Sequence, residues 1–282
     1  MTMNRRALNR RAFLGALLAT GAAAPLAANA GFHLPDMRKG PYKHIGVQLY
    51  TVRDAFKADP EGTLGKIRAI GYDEVEFTNF ADKTPADFKA MVHNAGLMGP
   101  SGHVSLADLR SRSDSLLDDM AAAGASYTIL AWLPEEERKD WEKLGAELNG
   151  YGAKAKARGL KFGYHNHNFE FAPLPDGQIP YHQMLANTDP AQVCFELDCY
   201  WASFAGHDPM EILNAHGDRI RQLHLKDKTA SGHMAPVGQG VIDFRAILKK
   251  AKALGIEHVY VEHDNPTDPF ASITASYKYL RS

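Results

Sequence analysis

From His44 onward, short apolar runs alternate with longer segments whose apolar residues recur at helical spacing. Strands are predicted over 45–50, 74–77, 97–104 and 127–132. The second half repeats the profile at 162–165, 193–198, 221–227 and 259–264. Each of these four runs ends in imidazole or carboxylate, the profile of a buried strand whose C-terminal end leaves the core. Between strands, helices are predicted over 59–70, 85–95, 108–123, 135–158, 180–185, 209–216 and 244–254, with Pro60 and Gly71 punctuating the first.

Residues near the strand ends set the period. Gln48, Glu76, His103, Leu130, His165, Asp198, His224 and Glu262 follow one another at intervals of 26 to 38. One βα unit has that length, and eight such units close a parallel (β/α)8 TIM barrel. An open doubly wound sheet is disfavoured, because no Gly-x-Gly-x-x-Gly follows the first strand. The segment 229–243, with Gly238 and Gly240, is too polar and glycine-rich for an element and reads as an active-site loop.

Composition narrows the class. The 282 residues carry a net charge of -1, which gives no footing for nucleic acid or a membrane surface. Cys194 and Cys199, the only cysteines, are read on one strand with opposite facing, as two free thiols. The first thirty residues read as a leader: Arg10 and Arg11 precede Phe13 and Leu14, an apolar run follows, and Ala28-Asn29-Ala30 has the form of a cleavage site. Paired arginines of this kind resemble a twin-arginine signal, so periplasmic export is expected, with residues 31–282 as a single barrel domain.

The polar residues breaking the apolar pattern fall at the end of the barrel where active sites lie. They include Glu76, His103, His165, His167, Glu196, Asp198, His224, Lys226 and Glu262. Imidazoles and carboxylates without cysteine suit a divalent cation such as Mn²⁺, Co²⁺, Mg²⁺ or Zn²⁺. Without one, Asp198 and Glu262 buried together would repel. His207, His216, His233 and His258 are read as surface residues.

Four stretches carry a resemblance: His224-Leu225-Lys226-Asp227, Glu196-Leu197-Asp198, Val261-Glu262 and residues 237–244. They resemble the xylose-isomerase-like sugar phosphate isomerase/epimerase family, across roughly residues 45–280. The resemblance implies a (β/α)8 barrel with one divalent metal, Mn²⁺ in first place, held between strands five and eight. It implies Asp198, His224 and Glu262 as ligands. The family's strand-five glutamate is replaced by His165, or alternatively supplied by Glu170 from the following loop.

The implied chemistry is proton abstraction beside a carbonyl through an enediolate, on a keto-sugar or 3-keto-glycoside. His167 is expected as the base, Glu262 as a group returning the proton, and Lys226 as the charge facing the oxyanion. Glu76, His103 and Glu170 are expected on the substrate, with Tyr50, Trp132 and Trp201 offering apolar faces. Elimination of a glycosidic oxygen is the alternative at the same site. A related endonuclease is disfavoured by the neutral charge, and a non-catalytic periplasmic sugar-binding protein is the reading from another class. The expected partner is a small-molecule sugar; a homo-oligomer stays open.

Overall fold

A computed structural model describes Gly40 and residues 42–282. The proposed leader lies outside the described residues. Eight parallel strands form a closed ring: β1 Gly46–Gln48, β2 Glu74–Phe77, β3 Met98–Ser105, β4 Tyr127–Trp132, β5 Lys161–His165, β6 Val193–Asp198, β7 Ile220–Leu225 and β8 His258–Val261. β8 pairs with β1 through Gly46–Tyr260 and Val47–Val261, which closes the barrel. The barrel read from the spacing is therefore the fold.

Punctuation in the sequence acts as expected. Asp59 caps the helix Pro60–Ile70 by accepting the Gly62 N–H at 2.9 Å. Asp208 and Asp268 cap Pro209–His216 and Pro269–Arg281, each with proline in the first turn. Two short helices and the C-terminal one lay outside the predicted set: Arg53–Ala58, Cys199–Phe204 and Pro269–Arg281. The predicted helix at 135–158 is shorter, because Asp140 caps a fresh start by accepting the Lys143 N–H at 2.9 Å, giving Trp141–Lys156. Among the described residues, no helix is long and apolar enough to cross a membrane.

Strand ends differ from the reading where side chains capture backbone. β1 stops at Gln48, whose carbonyl side chain accepts the Tyr50 N–H at 3.2 Å and starts a tight turn. β6 stops at Asp198, whose Oδ1 accepts the Trp201 N–H at 2.9 Å and caps the next helix. Cys199 thus opens a helix instead of sharing the strand with Cys194, and both thiols are free. β8 ends at Val261, leaving Glu262 and Asp264 on the loop beyond it.

The barrel interior is polar toward the C-terminal ends of its strands. Fully buried Glu76 takes the Gln48 side-chain N–H at 2.7 Å and the Ser101 hydroxyl at 2.6 Å. Buried polar groups persist only when so paired. Gly46 is required where it stands, since an added Cβ would lie 2.3 Å from the Tyr260 ring.

Candidate active site

The site rises from this polar floor. Nε2 of His224 lies 2.6 Å from Oε2 of Glu76, and its Nδ1 lies 2.6 Å from Oε2 of Glu262. Both ring nitrogens are thus held, which fixes the imidazole on β7. Glu196 forms a second hub: its Oε2 lies 2.8 Å from His103 Nε2, 3.0 Å from His165 Nδ1 and 3.2 Å from His224 Nε2.

Charge follows this geometry. Burial alone would raise Glu76 and Glu262, but His103 and His224 offset it for Glu76, and Lys226 and His224 for Glu262. Both therefore stay well below the usual carboxylate range. Glu196 is held at about 2 against burial and Glu76, by His224 and His103. Against the effect of burial, Glu76 and Glu196 lift His103 to about 9, while His165 is driven down by burial and by His224.

Candidate ligand atoms fall into two groups that share His224. One comprises His103, His165, Glu196 and His224; the other Asp198, His224 and Glu262. Of the expected four, Asp198, His224 and Glu262 fall in one group and His165 in the other, and the buried Oδ2 of Asp198 makes no hydrogen bond. His165 Nε2 stands 3.7 Å from it and His224 Nδ1 3.9 Å. Burial raises Asp198 to about 6 even though the Lys226 ammonium stands 3.1 Å from its Oδ2. Such separations are what an ion bonded at about 2.0–2.2 Å draws together. Two imidazoles and two carboxylates also form a donor set for a borderline divalent ion. The residues fit the implied metal.

Two predicted substrate contacts lie elsewhere. Glu170 is fully buried, its Oε1 accepting the Tyr164 hydroxyl at 2.6 Å and its Oε2 the His167 N–H at 2.8 Å. It belongs to neither group of candidate ligand atoms, whereas His165 belongs to one. Glu76 is equally buried beneath His224 and His103. Both acids act as supports: Glu76 is enclosed by groups from neighbouring strands, and Glu170 by the Tyr164 hydroxyl of β5 and the nearby His167 N–H. Similarly, His258 is no surface residue: its Nδ1 lies 2.8 Å from Glu74 Oε2.

Above the floor opens a cavity of about 510 Å³. His103, His165, His167, Lys226 and Glu262 line it, with Tyr50, Trp132 and Trp201 at its sides. His167 stands between aromatic rings, edge-on to Trp132 at 4.6 Å and 5.5 Å from Trp201. Its Nδ1 has no hydrogen-bond partner. Burial first, then the Lys226 ammonium, keeps this ring neutral well below the ordinary imidazole value. Lys226 stays charged despite burial, with Asp198 at 3.1 Å, Glu262 at 2.9 Å and Asp264 at 2.9 Å.

Asp264 and Asp227 were not singled out as site residues. Asp227 sits under the 229–243 loop and accepts backbone N–H groups of Lys228, Gly238, Gly240 and Ile242 at 2.8 to 3.2 Å. The signal was present: an acid closing β7, followed by a glycine-rich loop. Within that loop, Asp227–Lys228 pairs with Met234–Ala235 as a two-residue antiparallel ribbon.

The family described as Xylose isomerase-like TIM barrel matches residues 64–282. Inosose dehydratase of Geobacillus thermodenitrificans is 28% identical over 170 residues, covering 52% of this chain and 56% of its own. The chain spans about half the length of the curated relatives it matches. A solved sugar phosphate isomerase/epimerase from Parabacteroides distasonis superposes with a TM-score of 0.75 at 29% identity, covering 84% of this chain and 97% of that one. A protein named IOLI, solved with a bound zinc atom, shares the fold at a TM-score of 0.63 and 16% identity, over 83% of this chain and 95% of that one.

Proposed function

Because the chain belongs to the xylose isomerase-like TIM barrel family, we propose that it is a divalent-metal-dependent lyase acting on a keto-sugar. The reaction removes a proton beside the carbonyl and expels the oxygen on the next carbon. The observation that carries this reading is the single unpartnered imidazole facing the cavity, His167.

His165, Asp198, His224 and Glu262 would hold a divalent ion, which would supply Lewis-acid polarisation of the substrate carbonyl. The His167 imidazole, neutral and free of hydrogen-bond partners, takes the proton. The electron pair forms the carbon–carbon double bond as the carbon–oxygen bond breaks. His103 lines the same cavity, carries a proton at neutral pH, and gives it to the departing oxygen. Lys226 contributes a fixed positive charge beside the developing oxyanion. Trp132 and Trp201 flank His167 and keep water from it.

Elimination is chosen over epimerisation, with Glu262 engaged by His224 and Lys226 and His103 as the proton donor. The relatives named inosose dehydratase support the same choice. The isomerase/epimerase reading keeps the support of the Parabacteroides neighbour. Periplasmic export through the leader is part of the proposal, and fractionation of cells expressing the full chain tests it.

The deciding experiment incubates the Mn²⁺-loaded protein with an inosose or a 3-keto-glucoside in D₂O, read by proton NMR. Loss of the proton beside the carbonyl together with formation of an enone is expected, and both should vanish in His167→Ala. Exchange and inversion without an enone would replace the lyase with an epimerase. No exchange with Mn²⁺, Co²⁺, Zn²⁺ or Mg²⁺ would sink the reading.

A further inference from the structure

A second cavity, about 460 Å³, opens beside the catalytic one between the ends of β2, β3 and β4 and the start of the helix Leu106–Ala122. The two share Thr78, His103, Ala131 and Trp132, so they adjoin at the imidazole assigned to the departing oxygen. Beyond this junction the walls are Phe77, Phe80, Val104, Leu106, Leu116 and Met120. Trp132 stands at the junction with 48% of its surface exposed, its ring otherwise met by the Arg138 guanidinium, His167 and Phe169.

The groove holds no charge to spare. Its charged lining residues, Asp108 and Arg112, bind each other at 3.0 Å, and Arg112 also binds Asp119 at 3.1 Å. In the catalytic cavity, the lysine on the wall is Lys226, already ringed by three carboxylates. A phosphoryl group would meet no uncommitted lysine or arginine in either space, whereas an apolar group would bury carbon against carbon.

We propose that the groove receives the uncharged, apolar aglycone of a glycoside whose sugar ring occupies the catalytic cavity. The proposal rests on the lyase reading for the position of the ring. In a 3-keto-glycoside, the proton on C2 lies between the C3 carbonyl and the aglycone oxygen on C1. Removing that proton forms the C1–C2 double bond as the C1–oxygen bond breaks, and the aglycone leaves as an alcohol after taking a proton. The leaving group then lies past His103, in the groove. Such a substrate must be supplied by a separate oxidation of the C3 hydroxyl.

The test compares methyl and hexyl 3-keto-β-D-glucopyranosides, whose leaving oxygens are chemically alike, using the Mn²⁺-loaded full chain. Binding is measured by calorimetry and turnover as kcat/KM. The hexyl compound is expected to bind tighter on the order of tenfold or more, from buried apolar area. Glucose 6-phosphate should not compete. Ala107→Phe, on the exposed rim of the groove, should bring the hexyl-to-methyl ratio close to one. Equal binding of the two glycosides to the wild type, or a hexyl preference that survives Ala107→Phe, overturns the proposal. Equal turnover of both would leave the lyase standing without the groove. A hexyl preference in binding with no turnover of either would leave the groove standing and the lyase reading lost. Should Ala107→Phe fail to fold, the wild-type ratio alone decides.

Discussion

The carboxylate of Glu170 accepts the backbone N–H of His167 at 2.8 Å, so a buried acid fixes the segment that presents the unpartnered imidazole. Burial pushes Glu170 up from 4.5 to about 7. Between those two pH values the folded protein holds a proton that the unfolded chain has released. Its contribution to stability is therefore complete below about 4.5 and is lost as pH rises toward about 7. Glu170→Gln keeps the shape and removes the titration. The stability difference between wild type and variant is expected to change across this window by on the order of 3 kcal/mol. Denaturation curves at a series of pH values check it; parallel profiles for the two proteins would show that Glu170 does not titrate there.

His167 should affect chemistry far more than stability. Loss of a positioned general base costs about 10²- to 10⁴-fold in rate, and His167→Ala is expected to fall in that range with its metal content unchanged. Because burial holds its pKa well below 6.5, kcat/KM should stay flat through neutrality and fall only on an acid limb below that value. A limb centred above 6.5 would assign the base elsewhere.

Metal should be legible in stability as well as in activity. Asp198 Oδ2 is buried without a hydrogen bond, so an ion bound there favours the folded chain by mass action. With free Mn²⁺ at a thousand times Kd, the gain is about 4 kcal/mol, seen as a rise in Tm. Asp198→Asn should abolish both that rise and the roughly one equivalent of metal found by elemental analysis. Unchanged metal content in Asp198→Asn would move the site to the neighbouring group of His103, His165, Glu196 and His224.

The loop after β7 depends on one carboxylate. Asp227→Ala leaves four backbone N–H groups without their acceptor and is expected to cost on the order of 3 kcal/mol. Gly240→Ala should give the same phenotype by another route, since its Cβ would lie 2.2 Å from Asp227 Oδ1 and 2.4 Å from the Lys228 carbonyl. In both variants, limited proteolysis should cut within 229–243 faster than in wild type. Resistance equal to wild type in both would show that the loop is held by other contacts.

The chain itself fixed the barrel. Eight apolar runs spaced by one βα unit admit few closed arrangements, and the aspartates and prolines at helix starts act locally, so their positions carry over directly. The chemical character of the site was equally legible, since His165, Asp198, His224 and Glu262 interrupt runs that would otherwise be core.

Tertiary structure decided which of those polar residues face the substrate and which support the ones that do. Glu76 and Glu170 look like site residues in the sequence, yet both are enclosed. Four polar groups from three other strands surround Glu76, while the Tyr164 hydroxyl and the His167 N–H take both oxygens of Glu170. Glu196 and His103 meet His165 and His224 across the barrel, at sequence separations that no local pattern encodes. The groove beside the site has the same origin, since Phe77, Val104 and Met120 come together only when β2, β3 and the helix after β3 are assembled. Periodicity is a property of neighbours along the chain and determines the elements. A carboxylate's role depends on which donors the closed barrel brings within about 3 Å of it, and that is set by contacts between strands.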